Sequence, residues 1–584
     1  MKNQELAKIF NDMARFLEAE GVAFKPYAYE RAALSLEALS KDVGDIYREG
    51  GVKALLEISG VGKAMADHIE EYIKTGKIKH YEDYKKKFPV KLDELLRVEG
   101  IGVKKIITLY QKLGIKNLKD LEKAAKKHKI APLFGFGEKT EKNILQGLEF
   151  LKRDKGRFLL GEILPTARNV LEKLKNLKEV DQISLAGSVR RRKETIGDVD
   201  ILVSLKSGES AFAKASADAV ADFFTKLDGV EKVWGKGGTK ASVRMKEGFD
   251  MDLRIVKKES YGSALQYFTG NKDHNIITRK IAIEKGLKLS EYGVFRGKNQ
   301  IAGKTEEDVY KAIGLPYIEP ELRENEGEIE AALNSKLPKI IGYKDIKGDL
   351  HCHTIASDGQ NSIEEMVKKA IELGYEYLGI SDHTKTLGVA SGLSEEELLK
   401  QGEEIRRLNS EFRIQNSGFR ILHGCEANIL EDGSVDIGDE VLEKLDYVIA
   451  SIHSLMKMPK KEMTDRIVKA MQNPNIDIIG HLTARLIGQR DEIQLDFDKI
   501  LEVAKETGTI LEINSSPYRL DLNSLNIRKA KNHGVKMIIN TDSHQANQMD
   551  LIEYGISQAR RGWAEKEDII NTLPVQELIK NFQP

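Results

Sequence analysis

The sequence predicts three kinds of folded region in series: an all-α N-terminal part, an α+β middle and a C-terminal α/β unit on a mostly parallel sheet. Three observations predict it. Residues 1–150 show helical periodicity punctuated by doubled glycines. Strand-like runs carrying paired aspartates follow from about residue 151. Beyond about 345, strand-like and helix-like pieces alternate to the end, the pattern of repeated βα units. At 584 residues the chain has room for about three to five domains.

In the first region, apolar residues recur at three and four in "LAKIFNDMARFLEAE" and "AYERAALSLEALSKDV". Between the helices stand "ISGVGKAMADHI", "VEGIGVKKIITLY" and a looser "LFGFGEKTEKNIL", an internal repeat of a Gly-x-Gly turn opening a helix. Such a turn presents backbone N–H groups at the start of its second helix, which suits phosphate without reading sequence. Gly60, Gly62 and Lys63 form the first copy, Gly100, Gly102 and Lys104 the second, and Lys139 follows the third. The repeat resembles the helix-hairpin-helix motif of DNA repair proteins.

In the middle region, "LAGSVRRRKETIGDVDILVSL" ends a strand at Gly187-Ser188 and begins another carrying Asp198 and Asp200. Residues i and i+2 of a strand share a face. Two adjacent carboxylates resist that arrangement unless cations sit between them. "FDMDLRIV" brings a third carboxylate, Asp252, with Asp250 on its face. Three carboxylates can hold two Mg²⁺ (or Mn²⁺) ions for in-line phosphoryl transfer. Gly187 allows close backbone approach to a triphosphate, and Ser188 can donate to it.

"GSVRRRKETIGDVD" and the later "LQYFTGNKDHNIITRKIAIEKGLKLSEYGVF" resemble family X DNA polymerases, the group of DNA polymerase beta, over about residues 1–320. The resemblance implies a nucleotidyltransferase palm and thumb acting on gapped or primer-template DNA with dNTPs. It makes Asp198, Asp200 and Asp252 the metal-binding catalytic carboxylates, with Asp252 also activating the primer 3′-OH. Arg157, Ser188 and Arg191 match triphosphate contacts. Tyr267, Phe268 and Gly270 match the segment that screens the sugar, Asn275 a contact to the incoming base, and Arg279 a contact to the template strand. Members that remove a 5′-deoxyribose phosphate use a lysine where this chain has His68, and imidazole is a poor Schiff-base former.

The last region concentrates histidine: eight of the 12 follow residue 350. "GDLHCHTIASDG" gives His351, His353 and Asp358. "SDHT", "GCEAN", "SIHS", "GHLT" and "NTDSH" give His383, Glu426, His453, His481, Asp542 and His544. In α/β sheets strand C-terminal ends converge on one crevice. Nine N/O donors without a thiolate suit Mn²⁺, Zn²⁺ or Fe and exceed one tetrahedral site, so two or three ions are expected. These motifs resemble the PHP (polymerase and histidinol phosphatase) domain, whose fold is a distorted (β/α)7 barrel.

The expected division is a helix-hairpin-helix region over 1–150, palm 151–256, thumb 257–320, linker 321–345 and PHP domain 346–584. The order implies a monomeric gap-filling polymerase of base excision repair with 3′→5′ exonuclease work in the PHP domain. A small-molecule phosphatase or a structural PHP domain, or a non-templated terminal transferase in the front half, are the rivals.

Charge fits this division. Residues 1–300 hold 58 Lys+Arg against 43 Asp+Glu, and the remainder 34 against 49. A basic front half suits a polyanion, and an acidic back half concentrates cations. Two cysteines, Cys352 and Cys425, make no disulfide framework and suggest a cytoplasmic protein. No apolar run predicts a membrane span, and the N-terminus is unlike a signal peptide.

Overall fold

The computed structural model describes the chain outside residues 1, 20–21, 23–24, 38, 40, 59, 97, 99–100, 154–155, 207–209, 387–391, 416–417 and 583–584. It separates into two compact units. The first is Met1–Phe158, Thr166–Ser188 and Gly197–Tyr317. The second is Leu159–Pro165, Val189–Ile196 and Ile318–Pro584.

The first unit opens with helices, as the periodicity predicts. Leu6, Phe10, Met13, Leu36, Ile69, Ile106, Leu121 and Ile144 belong to one buried core that runs through them. Gly62 is the N-cap of helix Lys63–Thr75 and Gly102 of helix Val103–Leu113. Gly60 takes φ +84°, and a Cβ there would meet Arg31 Cγ at 2.9 Å, so this turn needs glycine. In the third turn, Gly135 and Gly137 also take positive φ before helix Gly137–Arg153.

A five-stranded sheet follows, in the order Val180–Leu185, Asp198–Leu205, Asp250–Val256, Lys240–Met245, Val230–Lys236. The pairing of Asp198–Leu205 with Asp250–Val256 is parallel, and the other pairings are antiparallel. Val199, Ile201, Met251 and Leu253 are buried, which leaves the aspartates on the opposite face. Helices Tyr261–Thr269 and Lys272–Glu284 and a three-stranded sheet complete the unit.

The second unit is a seven-stranded parallel sheet in sequential order: Gly348–Asp349, Tyr377–Ile380, Arg420–Asn428, Tyr447–Ser451, Ile478–Ile479, Ile510–Asn514, Met537–Asn540. A parallel bridge between Cys352 and Ser543, with His353 N donating to Ser543 O (2.8 Å), nearly closes it into a barrel. Leu422, Ile449, Ile478 and Ile538 belong to one buried cluster of the barrel strands. Both cysteines are free and buried.

Two expected boundaries need correction. Residues 321–345, read as a linker, are folded into the second unit. Glu321 is buried against Arg560 (2.7 Å), Arg323 is fully buried on Ile318 O, and Ile341 N donates to Ala564 O. Glu321, Arg323, Glu324 and Glu328 are satisfied internally, while Glu326, Glu330, Lys336, Lys339 and Lys344 stay exposed. Val189–Ile196, expected as part of the palm, also groups with the second unit. There Glu194 accepts from both terminal nitrogens of Arg485 (3.2 and 2.6 Å).

Candidate functional site

The sheet register sets three carboxylates side by side. Asp198 pairs with Asp250 and Asp200 with Asp252 in the parallel ladder, while Ser242 lies opposite Asp252 on the other side. Burial pushes Asp200 up to about 7, helped by the charges of Asp198 and Asp252. Asp198 is raised by burial and by Asp252. Carboxylates grouped at this cost are a ready cation site. Around Asp252, Ser242 Oγ donates to Oδ1 (2.5 Å) and Lys240 Nζ lies 3.0 Å from Oδ2. Asp250 is turned away onto Trp234 Nε1 (2.8 Å) and Arg244 (2.9 Å). This sets Asp252, rather than Asp250, with the pair.

Gly187, at φ +61°, stands directly over Asp200: a Cβ would lie 2.7 Å from Asp200 Oδ2. Ser188 follows it, and Arg157 is near enough to Asp198 to lower its carboxyl against the effect of burial. Gly270 ends helix Tyr261–Thr269 at φ +65°. Asn275 Nδ2 donates to Tyr267 O (2.7 Å), its Oδ1 accepts from Gln266 (2.9 Å), and Arg279 Nε donates to Asn275 O (3.1 Å). Tyr267 and Phe268 pack edge to face. The expected sugar and base contacts are thus one braced group. Arg191 falls in the second unit, where its Nε donates to Glu324 (3.0 Å), a carboxylate shared with Arg561 (3.2 Å).

In the second unit all nine expected donors meet. Glu426, fully buried, is the hub. His383 Nδ1 lies 2.8 Å from it, His481 Nε2 3.0 Å, His453 Nε2 3.2 Å, His351 Nε2 3.4 Å and His353 Nε2 3.7 Å. Asp542 is 3.3 Å from His353, and Asp358 is 3.3 Å from His544 and 3.6 Å from His383. Three subsets bring their donor atoms within 4.8 Å of one another: His353, Asp358, His383 and His544; His351, His353 and Glu426; His383, Glu426 and His453. His351 Nε2, both nitrogens of His353 and both oxygens of Glu426 are buried without a hydrogen-bond partner. Such donors fit metal ions.

Without metal the histidines divide: against burial, neighbouring carboxylates raise His351, His383 and His544, whereas burial lowers His353 and His481. Burial opposes charge on Glu426, yet His453, His351 and His383 hold its carboxyl well below the usual range. Burial pulls His353 down to about 4, leaving it neutral for ligation. His481 (φ +24°) and Asp542 (φ +56°) occupy left-handed backbone, a strain tolerated where a site demands it.

Sequence motifs missed Glu512. Its Oε1 is 2.6 Å from His351 Nδ1, and its Oε2 accepts from His481 N (2.7 Å). A carboxylate only accepts, so Nδ1 carries a proton, which leaves Nε2 as the nitrogen that a metal would take. The available signal was topological: Ile510–Asn514 was the one barrel strand without an assigned donor.

Comparison with known proteins decides the family. Residues 1–78 match a helix-hairpin-helix domain model, 92–149 a SAM-like helix-hairpin-helix tandem, 161–234 the DNA polymerase beta palm, 264–324 its thumb and 349–516 the PHP domain. The "DNA polymerase/3'-5' exonuclease PolX" of Bacillus subtilis is 37% identical over 586 residues, covering 99% of both chains. The chain belongs to the family X DNA polymerases that carry a PHP domain. Probable phosphatases of Acetivibrio thermocellus (32% identical, 34% of this chain and 78% of that one) and Thermoanaerobacter sp. (30%, 38% and 89%) match shorter stretches.

For this family X polymerase, the helix-hairpin-helix models account for DNA binding by the first unit. Gly60, Gly62, Gly102 and the exposed Lys63 and Lys104 stand on its turns. Gly100 and the Lys139 side chain lie outside the described residues. His68 is engaged with Tyr29 (Nε2 to OH 3.0 Å), and burial lowers its pKa. Among the described residues, no helix is long and apolar enough to cross a membrane.

Proposed function

We propose that this chain fills short gaps in DNA by template-directed nucleotidyl transfer and trims 3′ ends at its PHP barrel. The observation that carries the reading is the pairing of two clusters of different donor type, an all-carboxylate one in the first unit and an imidazole–carboxylate one in the second.

Asp198, Asp200 and Asp252 would hold Mg²⁺ or Mn²⁺, which supplies charge neutralisation for the 3′-oxygen and triphosphate. Asp252 is positioned to receive the 3′-OH proton, because Ser242 and Lys240 orient its carboxylate. Gly187 and Ser188 receive the triphosphate, with Arg157 alongside. Tyr267, Phe268, Gly270 and Asn275 hold sugar and base. Gly60, Gly62, Lys63, Gly102, Lys104 and Arg279 contact DNA backbone or template.

In the barrel, His351, His353, Asp358, His383, Glu426, His453, His481, Asp542 and His544 would hold two or three Mn²⁺, Zn²⁺ or Fe ions. Such ions activate water and clamp a phosphodiester. Glu512 orients His351. The protein works as a cytoplasmic monomer in base excision repair.

The test is a one-nucleotide gap opposite each of the four template bases, supplied with each dNTP singly. Addition dictated by the template base supports the reading, and addition indifferent to it points to a terminal transferase. Release of dNMP from the primer's 3′ end in the absence of dNTP supports the trimming half.

A further inference from the structure

Glu426 and Asn428 stand two apart on strand Arg420–Asn428, so their side chains share the face that carries the histidine cluster. Asn428 is buried, and its Oδ1 lies 2.7 Å from His453 Nδ1. The other nitrogen of that ring, Nε2, points at Glu426 (3.2 Å). Behind Asn428 stands Asp436, a buried carboxylate to which no sequence motif pointed.

Asp436 settles which way the amide points. Its Oδ2 accepts from Asn428 Nδ2 (2.8 Å) and Thr386 N (3.0 Å), and its Oδ1 from Thr384 Oγ1 (2.7 Å) and Asn428 N (2.9 Å). The Thr384 hydroxyl, with its one proton on Asp436, accepts the second hydrogen of Asn428 Nδ2 (3.1 Å). Both amide hydrogens thus have acceptors on that side, and Oδ1 is left facing His453. Burial opposes charge on Asp436, yet hydrogen bonds from Thr384 and Asn428 hold its carboxyl below the usual range, so it stays an acceptor. An amide oxygen only accepts. His453 Nδ1 therefore carries a proton, which leaves Nε2 as the nitrogen that a metal would take. The same carboxylate ties together the subset of His383, Glu426 and His453. It holds Thr384, which follows His383, and Asn428, which shares a strand with Glu426 and a hydrogen bond with His453.

We propose that Asn428, locked by Asp436, is a positioning residue that makes His453 offer Nε2 to the metal it shares with His383 and Glu426. The arrangement differs from that at His351, where Glu512 meets the ring directly: here a neutral amide stands between imidazole and carboxylate. The proposal rests on the metal-bound reading of the barrel given above and adds the residues that set one ligand's tautomer.

The test uses the full chain loaded with Zn²⁺. In wild type, NMR of ring-nitrogen-labelled histidine reports which nitrogen of His453 bears the proton and which the metal, the signal being assigned by its loss in His453→Gln. A proton on Nδ1 and metal on Nε2 is expected, and the reverse would overturn the proposal. Equilibrium dialysis would then compare two variants. Asn428→Leu keeps the size and removes the acceptor. The exchange Asn428→Asp/Asp436→Asn keeps one amide, one carboxylate and an acceptor for His453. Asn428→Leu is expected to hold one ion about 10–100-fold more weakly. The exchange is expected to hold it as wild type does, a recovery that a merely structural role would not give. Wild-type affinity in Asn428→Leu, or an exchange as weak as Asn428→Leu, would overturn the proposal. If Asn428→Leu fails to fold, the wild-type nitrogen assignment still decides. The expected nitrogen assignment and affinities in a protein that shortens no DNA end would uphold the positioning role and overturn the trimming reading.

Discussion

At the scale of single residues, burial and charge make separate predictions for the two clusters. Asp200 is raised to about 7 by burial and its neighbours. The folded protein therefore holds a proton that the unfolded chain has released between about pH 4 and pH 7, so the metal-free protein loses stability as pH rises through that window. Asp200→Asn removes the penalty. It is expected to raise the Tm of metal-free protein at pH 8 by about 2–4 °C for each kcal/mol relieved, with a smaller gain at pH 5, while abolishing primer extension. An unchanged Tm at pH 8, read by scanning calorimetry in chelator, counts against the carboxylate geometry. In the barrel, Glu512→Gln leaves the shape but not the acceptor pair. Metal affinity there is expected to fall about 10–100-fold, measured by equilibrium dialysis, with extension unaffected. The Asp triad was legible in sequence because i, i+2 spacing on a strand is a strong geometric statement. Glu512 was not, because one Glu in "ILEIN" carries no motif and acquires its role only from the barrel's closure.

At the scale of elements, turns do the positioning. Gly187 has a positive φ and no room for a Cβ beside Asp200. Gly187→Ala is expected to cut extension at least tenfold through displaced carboxylate and triphosphate contacts, leaving PHP metal content unchanged. Steady-state extension with parallel metal analysis checks this. The hairpin turns act on the DNA backbone. Lys63→Ala with Lys104→Ala is expected to weaken binding of gapped DNA of any sequence and to reduce the slope of log affinity against log salt by about two. A preserved slope would remove those lysines from the interface. Element types were readable because glycine punctuation and period changes mark them locally. The linker was misread because Pro- and charge-rich composition looks the same whether its charges face water or, like Glu321 and Arg323, are paired inside.

At the scale of the whole molecule, the chain is two compact units that do not follow a single cut in sequence. Sequence reading placed both donor clusters, since each depends on short motifs repeated at strand ends. It could not place Val189–Ile196 in the second unit, because the Glu194–Arg485 and Arg191–Glu324 pairs join residues more than a hundred positions apart. The central claim is that two independent metal-dependent sites share one chain. Its most direct test is a labelled primer on one-nucleotide-gapped DNA with Mn²⁺, with and without the complementary dNTP. Wild type, Asp198→Ala/Asp200→Ala and His351→Ala/His353→Ala would be run side by side. The account predicts extension lost only in the aspartate variant and shortening lost only in the histidine variant. A wild type that extends but never shortens, or a histidine variant that still shortens, would contradict it.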